Sequence, residues 1–524
     1  MENNSLTVTI PKSEYDSLKK QVIDLTQKVE WFMQQLKLSK HRQFGSSSEK
    51  TAYNQLSLFD EIEATADVNI PEPELTEIAK HFRKRKRLSN DRLPDDIPVE
   101  VIEHDLPENE QTCPECGGSL HVMGNQTRRE LVFIPAQVKI IEHVKKIYAC
   151  RNCEKNECNV PIIKAPVDNP VIKGSFASPE AIAHIMTQKF VMATPLYRQE
   201  QDLNRNGIML SRQTMSNWSI KATEDYLEPI YGSLKERLCE QDNAHSDETT
   251  LQVLREPGKP AQSKSYMWLY RTGGYGKNGI KTENPIVLYD YQPDRKAVHP
   301  AEFLKGFKGY LHADGYEGYH SLPKEIIIVG CWAHVRRKFD EVLKVLSVKD
   351  REGSNAAVGK RYCDNLFELE RKFSDMTPKE RYLKRQELSK PLTEKFFAWA
   401  QRFCAMPKTP IGIAANYALG QRKYLETYLT DGRLEISNNR AERSIKPFVI
   451  GRKNFLFANT PRGAKASAII YSLVETAKEN NLNPFAYLTY IFKNAPNWDI
   501  RNNPDALQKL LPWFAPESCR VAKR

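Results

Sequence analysis

No stretch of this sequence is long and apolar enough to span a bilayer, and its N-terminus lacks the pattern of a secretory signal. The longest apolar run, around Ile326 to Ala333, is far shorter than the roughly 20 residues that a membrane helix needs. The opening MENNSLTVTIPKSEYDS has no charged segment followed by an apolar one. We therefore expect a cytoplasmic protein with no membrane partner.

A nucleotide phosphate loop is also lacking, although GGYGKNGIKT at residues 273–282 resembles one at first sight. Ile280 follows Gly279 at the position where the G-x4-G-K-[ST] pattern requires lysine. A hairpin turn is the better interpretation of this segment, and we infer no ATP site.

Disulfides are not expected among the ten cysteines in a reducing compartment, so closely spaced cysteines indicate a metal site instead. Cys113 and Cys116, and Cys150 and Cys153, form two CxxC pairs that can give four thiolates to one tetrahedral Zn2+. The β-rich segment FIPAQVKIIEHVKKIYAC can bring the pairs together. We predict one structural zinc in a module at 101–165, with Cys158 as a possible substitute ligand and chance clustering as the alternative.

The length of 524 residues exceeds what one hydrophobic core supports, so we expect three or more modules. With 40% hydrophobic and 27% charged residues, the composition is that of a globular chain and not of a disordered one. The net charge of +11 favours a polyanionic partner, because cations that neutralise phosphates release counterions. Charge alone is weak evidence for nucleic acid.

The N-terminal region reads as an arm followed by a linker. Apolar residues alternate at spacings of three and four from Leu18 to Leu36, which predicts a coiled-coil arm at 10–40 that makes the chain a homodimer or higher oligomer. An amphipathic helix packed on its own domain is the alternative. The basic linker at 41–100 contains five consecutive cations that either contact DNA phosphates or are solvated, namely Arg83, Lys84, Arg85, Lys86 and Arg87.

Residues 170–230 have a helix-turn-helix outline. Ser178 and Thr194 each precede a proline and are predicted helix caps, and Gly207 breaks the chain before Ser211 caps a third segment. If this third segment is a recognition helix, its exposed polar residues reach bases or phosphates. These candidates are Arg212, Gln213 and Asn217. A three-helix packing unit without DNA contacts is the alternative.

The sequence then alternates between strand and helix patterns. Strand-like runs with a helical AEFLKGF between the third and fourth predict the first part of a catalytic core at 240–337. A charged helical segment follows at 338–432, then a second part of the core at 433–495 and a C-terminal tail at 496–524.

Three carboxylates stand where metal chemistry is expected. Asp247 leads an otherwise apolar strand face, Asp314 ends a second strand, and Glu442 lies in the first turn of a predicted helix. Such acids can converge on two divalent ions, and their hard oxygens suit Mg2+ or Mn2+ in a site without His or Cys ligands. The alternatives are that Glu248 is the functional acid, that Asp314 forms a turn, and that Glu442 closes a capping box with Asn439.

At these residues the sequence resembles the transposases of the insertion sequence 66 family. The likeness rests on FGSSSEK, the CxxC pairs, ETT after Asp247, DGYEGY, CWAHVRRKF and NNRAERSIKPFVIGRKNFLF, and covers nearly the whole chain. It implies an RNase H-like DDE domain with Asp247, Asp314 and Glu442 as its acids and a helical insertion within residues 315–441. Ser246 stands where we expect alanine.

The resemblance implies a multidomain α+β protein and a Mg2+-dependent polynucleotidyl transferase that acts on double-stranded DNA at element ends and target. It also implies a bacterial, nucleoid-associated location when bound to DNA, and helper proteins of the same element. We expect Trp332 or Tyr316 to stack on a base, and His334 either to act near the site or to be packed. Cations beside the third acid are expected to bind phosphates, namely Arg440, Arg443, Lys446, Arg452 and Lys453. The rival functions are a resolvase-like nuclease and a non-catalytic DNA-binding protein.

Overall fold

The computed structural model describes Lys12 and residues 138–144, 146–149, 162–403 and 407–521. The larger of two units contains residues 167–521, and the smaller one contains the described residues from 138 to 166. The four predicted zinc ligands, the basic run at 83–87 and, apart from Lys12, the predicted coiled coil lie outside the described residues. Those assignments stay predictions.

The smaller unit contains an antiparallel ribbon of two short strands. These are β1 (Ile147–Ala149) and β2 (Ile162–Lys164), and Tyr148 pairs with Ile163. β1 lies in the segment predicted to be β-rich, where isoleucine and tyrosine favour strands. Residues 138–144 are exposed and have no regular structure, so the strand is shorter than the pattern indicated.

Three helices open the larger unit, and the third continues into a fourth. They are α1 (Pro179–Phe190), α2 (Leu196–Arg205), α3 (Arg212–Ala222), a π-helical turn (Thr223–Leu227) and α4 (Glu228–Cys239). The caps predicted at Ser178 and Ser211 are confirmed, since their hydroxyls accept backbone N–H groups at 3.0 and 3.1 Å. The cap predicted at Thr194 is wrong. Pro195 holds that position, because its own carbonyl accepts the first N–H bonds of the helix.

Five strands form one sheet in the larger unit as described. They are β3 (Asn243–Gln252), β4 (Lys264–Thr272), β5 (Val287–Gln292), β6 (Gly309–His312) and β7 (Ile326–Val329), in the order β5-β4-β3-β6-β7. β3, β4 and β5 are antiparallel, whereas β6 and β7 run parallel to β3. β3 therefore lies at the centre of the sheet, between its antiparallel and parallel halves.

A hairpin and short helices lie in the connections between the strands. The hairpin predicted at 273–282 is confirmed, since Gly276 N–H donates to the Ile280 carbonyl at 2.9 Å. Two short helices flank β6, namely α5 (Val298–Phe303) and α6 (Glu317–His320). α5 begins before the predicted AEFLKGF segment. Gly309 starts β6 at a φ of +142°, and a Cβ there would overlap the Asp242 carbonyl, so glycine lets β6 approach β3 closely.

A helical insertion follows β7 and begins at Trp332, before the predicted boundary of 338. Its elements are α7 (Trp332–Val345), α8 (Val348–Arg351), α9 (Asn355–Lys372), α10 (Pro378–Lys384), a π-helical turn (Arg385–Ser389), α11 (Lys390–Ala400), α12 (Pro410–Gly420) and α13 (Arg422–Leu425), with short 3-10 turns at Gln401–Phe403 and Thr427–Leu429. An aromatic core of its own, which includes Phe339, Phe396 and Phe397, holds these helices together.

The chain then returns to the sheet. The last elements are α14 (Asn439–Phe455), α15 (Pro461–Glu479), α16 (Pro484–Asn494), α17 (Pro504–Lys509) and 3-10 turns at Pro512–Phe514 and Glu517–Cys519. α15 packs on β5, where Ser472 and Thr476 accept the N–H groups of Tyr289 and Val287 at 2.7 and 3.0 Å. Buried residues of α1, α3, the sheet and α14 to α16 form one core, so the helix-turn-helix region is not packed as a separate module. Among the described helices, none combines the length and the apolar composition of a membrane span.

Candidate active site

The central strand β3 presents acidic side chains on both of its faces. Asp247 stands in the middle of the strand and not at its end, and Glu248 follows it on the opposite face. The face that carries His245, Asp247 and Thr249 is turned toward α14, since Asn438 and Arg452 contact His245 and Thr249 there. We call it the acid face. The face that carries Ser246 and Glu248 contacts Tyr319 in α6, and we call it the paired face.

Asp314 comes two residues after the end of β6. His312 pairs with His245 in the parallel register of β6 and β3. Asp314 is two residues beyond His312, just as Asp247 is two residues beyond His245. Asp314 Oδ1 accepts the Tyr316 N–H at 2.9 Å, which is the turn that the sequence offered as an alternative role. The other oxygen, Oδ2, remains outside this turn, 3.9 Å from Arg295 Nη2.

Glu442 occupies the first turn of α14, as predicted. No side-chain hydrogen bond caps this helix, so the capping box with Asn439 does not form. The carboxylate accepts instead from Arg337 Nη2 at 3.2 Å and lies 3.8 Å from His334 Nδ1. Both partners belong to α7, the first helix of the insertion. The third acid is therefore held where the insertion leaves the sheet and returns to it.

Asp247 lies close enough to Asp314 and to Glu442 for both charges to act on it. Burial raises the pKa of Asp247 well above its usual range, and the neighbouring Glu248, Asp314 and Glu442 raise it further. The side chains of Asp314 and Glu442 are 24% and 25% exposed, so solvent and ions can reach them. A divalent cation would offset this crowding of negative charge, and the oxygen donors are those that Mg2+ or Mn2+ prefers.

A layer of buried polar side chains lies next to the acids and connects the elements that carry them. The rings of His245 and His312 stack with their centroids 4.1 Å apart. Each histidine stands two residues before an acid, Asp247 or Asp314. Burial lowers the pKa of both imidazoles far below the usual range, which keeps the rings neutral. Asn438, just before α14, donates to the Ser246 carbonyl at 2.7 Å and bonds to His245 Nδ1 at 3.0 Å. This layer thus fixes all three acid-bearing elements relative to each other.

Glu248, the alternative acid, is saturated by partners. Its side chain is 2% exposed, forms an ion pair with Arg295, and accepts from the Tyr319 hydroxyl at 2.6 Å. Burial and Asp314 raise its pKa, whereas Tyr319 and Arg295 lower it. Asp247, in contrast, accepts only the Glu248 N–H at 2.9 Å among the described residues. The geometry favours Asp247 as the acid with free ligand capacity.

A thiol and an imidazole lie beside the third acid, which the sequence did not lead us to expect. Ligand atoms of Cys331, His334 and Glu442 all fall within 4.8 Å of one another. Burial lowers the pKa of His334, but Cys331 and Glu442 raise it more, to about 9. The prediction that the acids bind Mg2+ without His or Cys ligands is not tested by this proximity and stays a prediction.

The predicted DNA-binding cations of α14 fall into two groups. Arg440 pairs with Glu435 at 2.7 Å, and Arg452 donates to the Thr249 and Thr250 hydroxyls at 3.1 Å, so both stabilise the fold. Arg443, Lys446 and Lys453 have no ion-pair partner among the described residues, and Arg443 and Lys453 are exposed. Helical periodicity puts Lys446 and Lys453 on the same face as Glu442.

On α3, the predicted contact residues point outward. Arg212, Gln213 and Asn217 are all exposed, while Met215 and Trp218 on the other face are buried. Arg212 also lies 3.9 Å from Glu200 and over the Tyr197 ring.

The two aromatic residues proposed to stack on a base differ in their surroundings. The expectation for Trp332 is wrong, because its ring is fully buried in the insertion core and Nε1 donates to the Leu425 carbonyl. Tyr316 is half-buried, with its ring beneath the Arg295 guanidinium at 3.9 Å and its hydroxyl bonded to the Arg295 carbonyl.

Sequence reasoning missed four residues that contact or position the acids: Arg295, Cys331, Arg337 and Asn438. Cys331 and Arg337 stand in CWAHVRRKF and Asn438 in NNRAERS, so the motifs themselves were the available signal. Arg295 stands in no motif, and only the fold brings it to the site.

Comparison with known families gives four matches. Residues 174–466, which contain all three acids and α3, match the family described as Transposase IS66 family. Residues 110–154 match a zinc-finger binding domain of transposase IS66 and include both CxxC pairs, and residues 472–513 match an IS66 C-terminal element. Residues 31–102 match a family described as Transposase C of IS166 homeodomain, which overlaps the predicted coiled coil and linker.

Three proteins of Sinorhizobium fredii (strain NBRC 101917 / NGR234) are also similar to this chain. The uncharacterized protein y4hP is 30% identical over 446 residues, which are 82% of this chain and 77% of the relative. The uncharacterized protein y4qI is 30% identical over 433 residues, 80% of this chain and 76% of its own. The uncharacterized protein y4jD is 28% identical over 431 residues, 80% and 81% of the two chains.

Proposed function

This chain belongs to the IS66 family of transposases, and we propose that it cleaves DNA at the ends of an insertion element and joins those ends to target DNA. The convergence of Asp247, Asp314 and Glu442 carries the proposal. Adjacent parallel strands supply the first two acids and a helix start supplies the third. Burial raises the pKa of Asp247, and the charges of Glu248, Asp314 and Glu442 raise it further. Nucleases and polymerases use such carboxylate groups to bind a pair of divalent cations.

The sheet supports an RNase H-like catalytic domain. Three antiparallel strands are followed by two strands parallel to the first, and the first acid lies on the central strand. The insertion between β7 and α14 lengthens the chain between the second and third acids, and its core includes Val329 at the end of β7.

We propose that the three acids hold two Mg2+ or Mn2+ ions. When bound, such ions supply the charge that activates the attacking oxygen and stabilises the leaving oxygen of a phosphodiester. The chain's own residues prepare the ligands. Arg337 holds the Glu442 carboxylate near the sheet, Asn438 fixes the start of α14, and Arg295 lies beside Asp314. The acids are thus oriented before substrate arrives.

DNA is proposed to reach the acids along α14. Lys446 and Lys453 continue the face of Glu442 toward the C-terminal end of α14, so a phosphate backbone laid along that face meets both cations on one side of the acid. The exposed polar residues of α3 are proposed to read element ends in a groove, which gives the sequence preference that phosphate contacts lack.

The N-terminal segments are proposed to complete binding and assembly. The zinc-finger match contains Cys113, Cys116, Cys150 and Cys153, which supports one structural Zn2+ held by four thiolates. The apolar seam at 10–40 supports self-association, and the basic run at 83–87 supports phosphate contact. Helper proteins of the same element remain part of the proposal on family resemblance alone.

The test is a joining reaction with the full chain, DNA from the ends of its element, a target plasmid and Mg2+. We expect Mg2+-dependent nicks at the ends, followed by joints whose sequences place those ends in the plasmid. Nicks without joints would favour the resolvase-like alternative. Binding without any nick in Mg2+ or Mn2+ would contradict the enzymatic proposal and favour a DNA-binding protein.

A further inference from the structure

Cys331, His334 and Glu442 form a compact group of mixed donor atoms. Cys331 precedes α7, His334 lies in the first turn of α7, and Glu442 lies in the first turn of α14. Two helix starts therefore bring a sulfur, a ring nitrogen and a carboxylate oxygen within 4.8 Å of one another. His334 Nδ1 is buried and has no hydrogen-bond partner among the described residues. A buried nitrogen in that state has unused capacity for a ligand.

The backbone that carries these side chains is held firmly. Asn438 N–H donates to Cys331 Sγ at 3.2 Å, and Trp332 N–H donates to the Ile436 carbonyl at 3.1 Å. The Trp332 indole, fully buried, donates to the Leu425 carbonyl at 2.9 Å. These contacts join the start of α7 to the segment that enters α14. The three donors are consequently preorganised, and only side-chain rotation is needed to bring them around one ion.

The donor chemistry differs from that of the three acids. Thiolate and imidazole ligands select Zn2+ and similar transition metals, whereas Mg2+ takes oxygen ligands. Three protein ligands also leave a fourth tetrahedral position open, unlike a closed four-cysteine site. The group therefore fits a transition metal with an exchangeable water.

We propose that Cys331, His334 and Glu442 form a Zn2+ site that shares Glu442 with the catalytic acids, so that zinc at this site withdraws Glu442 and inhibits Mg2+-dependent cleavage. The site rests on the geometry alone, whereas its inhibitory effect rests on the proposed function. Glu442 Oε1 lies 3.8 Å from His334 Nδ1, while Arg337 donates to the other oxygen, Oε2, at 3.2 Å.

Cobalt tests the site directly, because Co2+ replaces Zn2+ and its bond to a thiolate absorbs in the near ultraviolet. Full-length protein that retains its tightly held zinc is titrated with Co2+. We expect a thiolate–cobalt absorption that reaches its limit near one added equivalent. The absorption should be lost in Cys331→Ser, and cobalt affinity should fall about tenfold or more in His334→Ala.

Cys239→Ser is the matched control, because Cys239 is a more accessible free thiol than Cys331 and belongs to no metal-binding group among the described residues. It should keep the full cobalt signal. Thermal unfolding of each variant shows whether it is folded. If Cys331→Ser is unfolded, the loss of cobalt affinity in His334→Ala tests the site instead. Absence of the signal in the wild type, its survival in Cys331→Ser, or its loss in Cys239→Ser would overturn the site.

Nicking at fixed Mg2+ with added Zn2+ tests the inhibitory effect. Each variant is compared with its own activity without added zinc. We expect zinc to inhibit the wild type and Cys239→Ser, and Cys331→Ser to resist. A cobalt signal in a chain that never nicks DNA would leave the site standing and contradict the proposed function. A cobalt signal with equal zinc inhibition in Cys331→Ser would overturn the sharing of Glu442.

Discussion

The acid face and the paired face of β3 place adjacent carboxylates in opposite surroundings. On the paired face, Glu248 is almost fully buried and engaged by Arg295 and Tyr319. On the acid face, Asp247 meets other carboxylates and one backbone N–H. Sequence position barely distinguishes the two residues, but their partners do. An acid whose neighbours are cations and hydroxyls stabilises the fold, whereas an acid whose neighbours are acids is poised for a metal.

The strongest test of this contrast is Asp247→Asn. We expect Mg2+-dependent nicking to fall by at least about 10³-fold, since losing one electrostatic contact to a transition state already costs about 10² to 10³-fold. DNA binding, measured by a shift in gel mobility, should change little because the lysines proposed to bind phosphates lie on α14. Nicking at the wild-type rate would remove Asp247 from the site.

Asn438→Ala tests the layer that supports the acid face. The change leaves the Ser246 carbonyl and His245 without their partner and frees the start of α14. We expect nicking to fall by about 10²-fold, the cost of a misplacement of about 1 Å in a preorganised site. The loss should appear in kcat and in Mg2+ affinity. Asn438→Asp, which keeps the acceptor, should lose less if positioning by the His245 bond matters most.

Glu248→Gln tests the paired face and should affect stability more than chemistry. A fully buried ion pair costs about 3 to 5 kcal/mol to break, but Arg295 is 39% exposed, so we expect about 1 to 3 kcal/mol. Chemical denaturation measures this loss. Nicking at a temperature where the variant is folded should persist. If Glu248→Gln abolishes nicking while Asp247→Asn does not, the roles of the two faces are reversed.

Tyr319→Phe should produce the smallest effect. It removes a hydroxyl that bonds to Glu248 at 2.6 Å and to Ser246 at 3.0 Å while preserving the packing of the ring. We expect a loss of about 1 to 2 kcal/mol in the free energy of unfolding, with nicking preserved. A large loss of nicking without a loss of stability would indicate that the paired face also contributes to the reaction.

Local patterns predicted the positions of the three acids well. Strand alternation placed Asp247 on its own face, a strand end marked Asp314, and helix-start residues marked the turn that holds Glu442. The caps at Ser178 and Ser211 were predictable for the same reason, because a cap depends on residues within one turn.

Local sequence patterns did not predict the side-chain partners that only tertiary packing brings together. Arg295 reaches Glu248 across 47 residues, and Asn438 reaches Ser246 across 192. Trp332 looked available for stacking, but the insertion core buries it. Whether a carboxylate is paired or free depends on which distant segments fold against it, and spacing along one sequence does not carry that information.

Direct measurement of Mn2+ binding tests whether Asp247, Asp314 and Glu442 form one metal site. The electron paramagnetic resonance signal of free Mn2+ is followed as full-length protein, purified without chelators, is added. We predict that the wild type and Glu248→Gln remove Mn2+ from solution alike, whereas Asp247→Asn and Asp314→Asn remove far less. Equal Mn2+ binding by the wild type, Asp247→Asn and Asp314→Asn would show that these acids do not form a metal site.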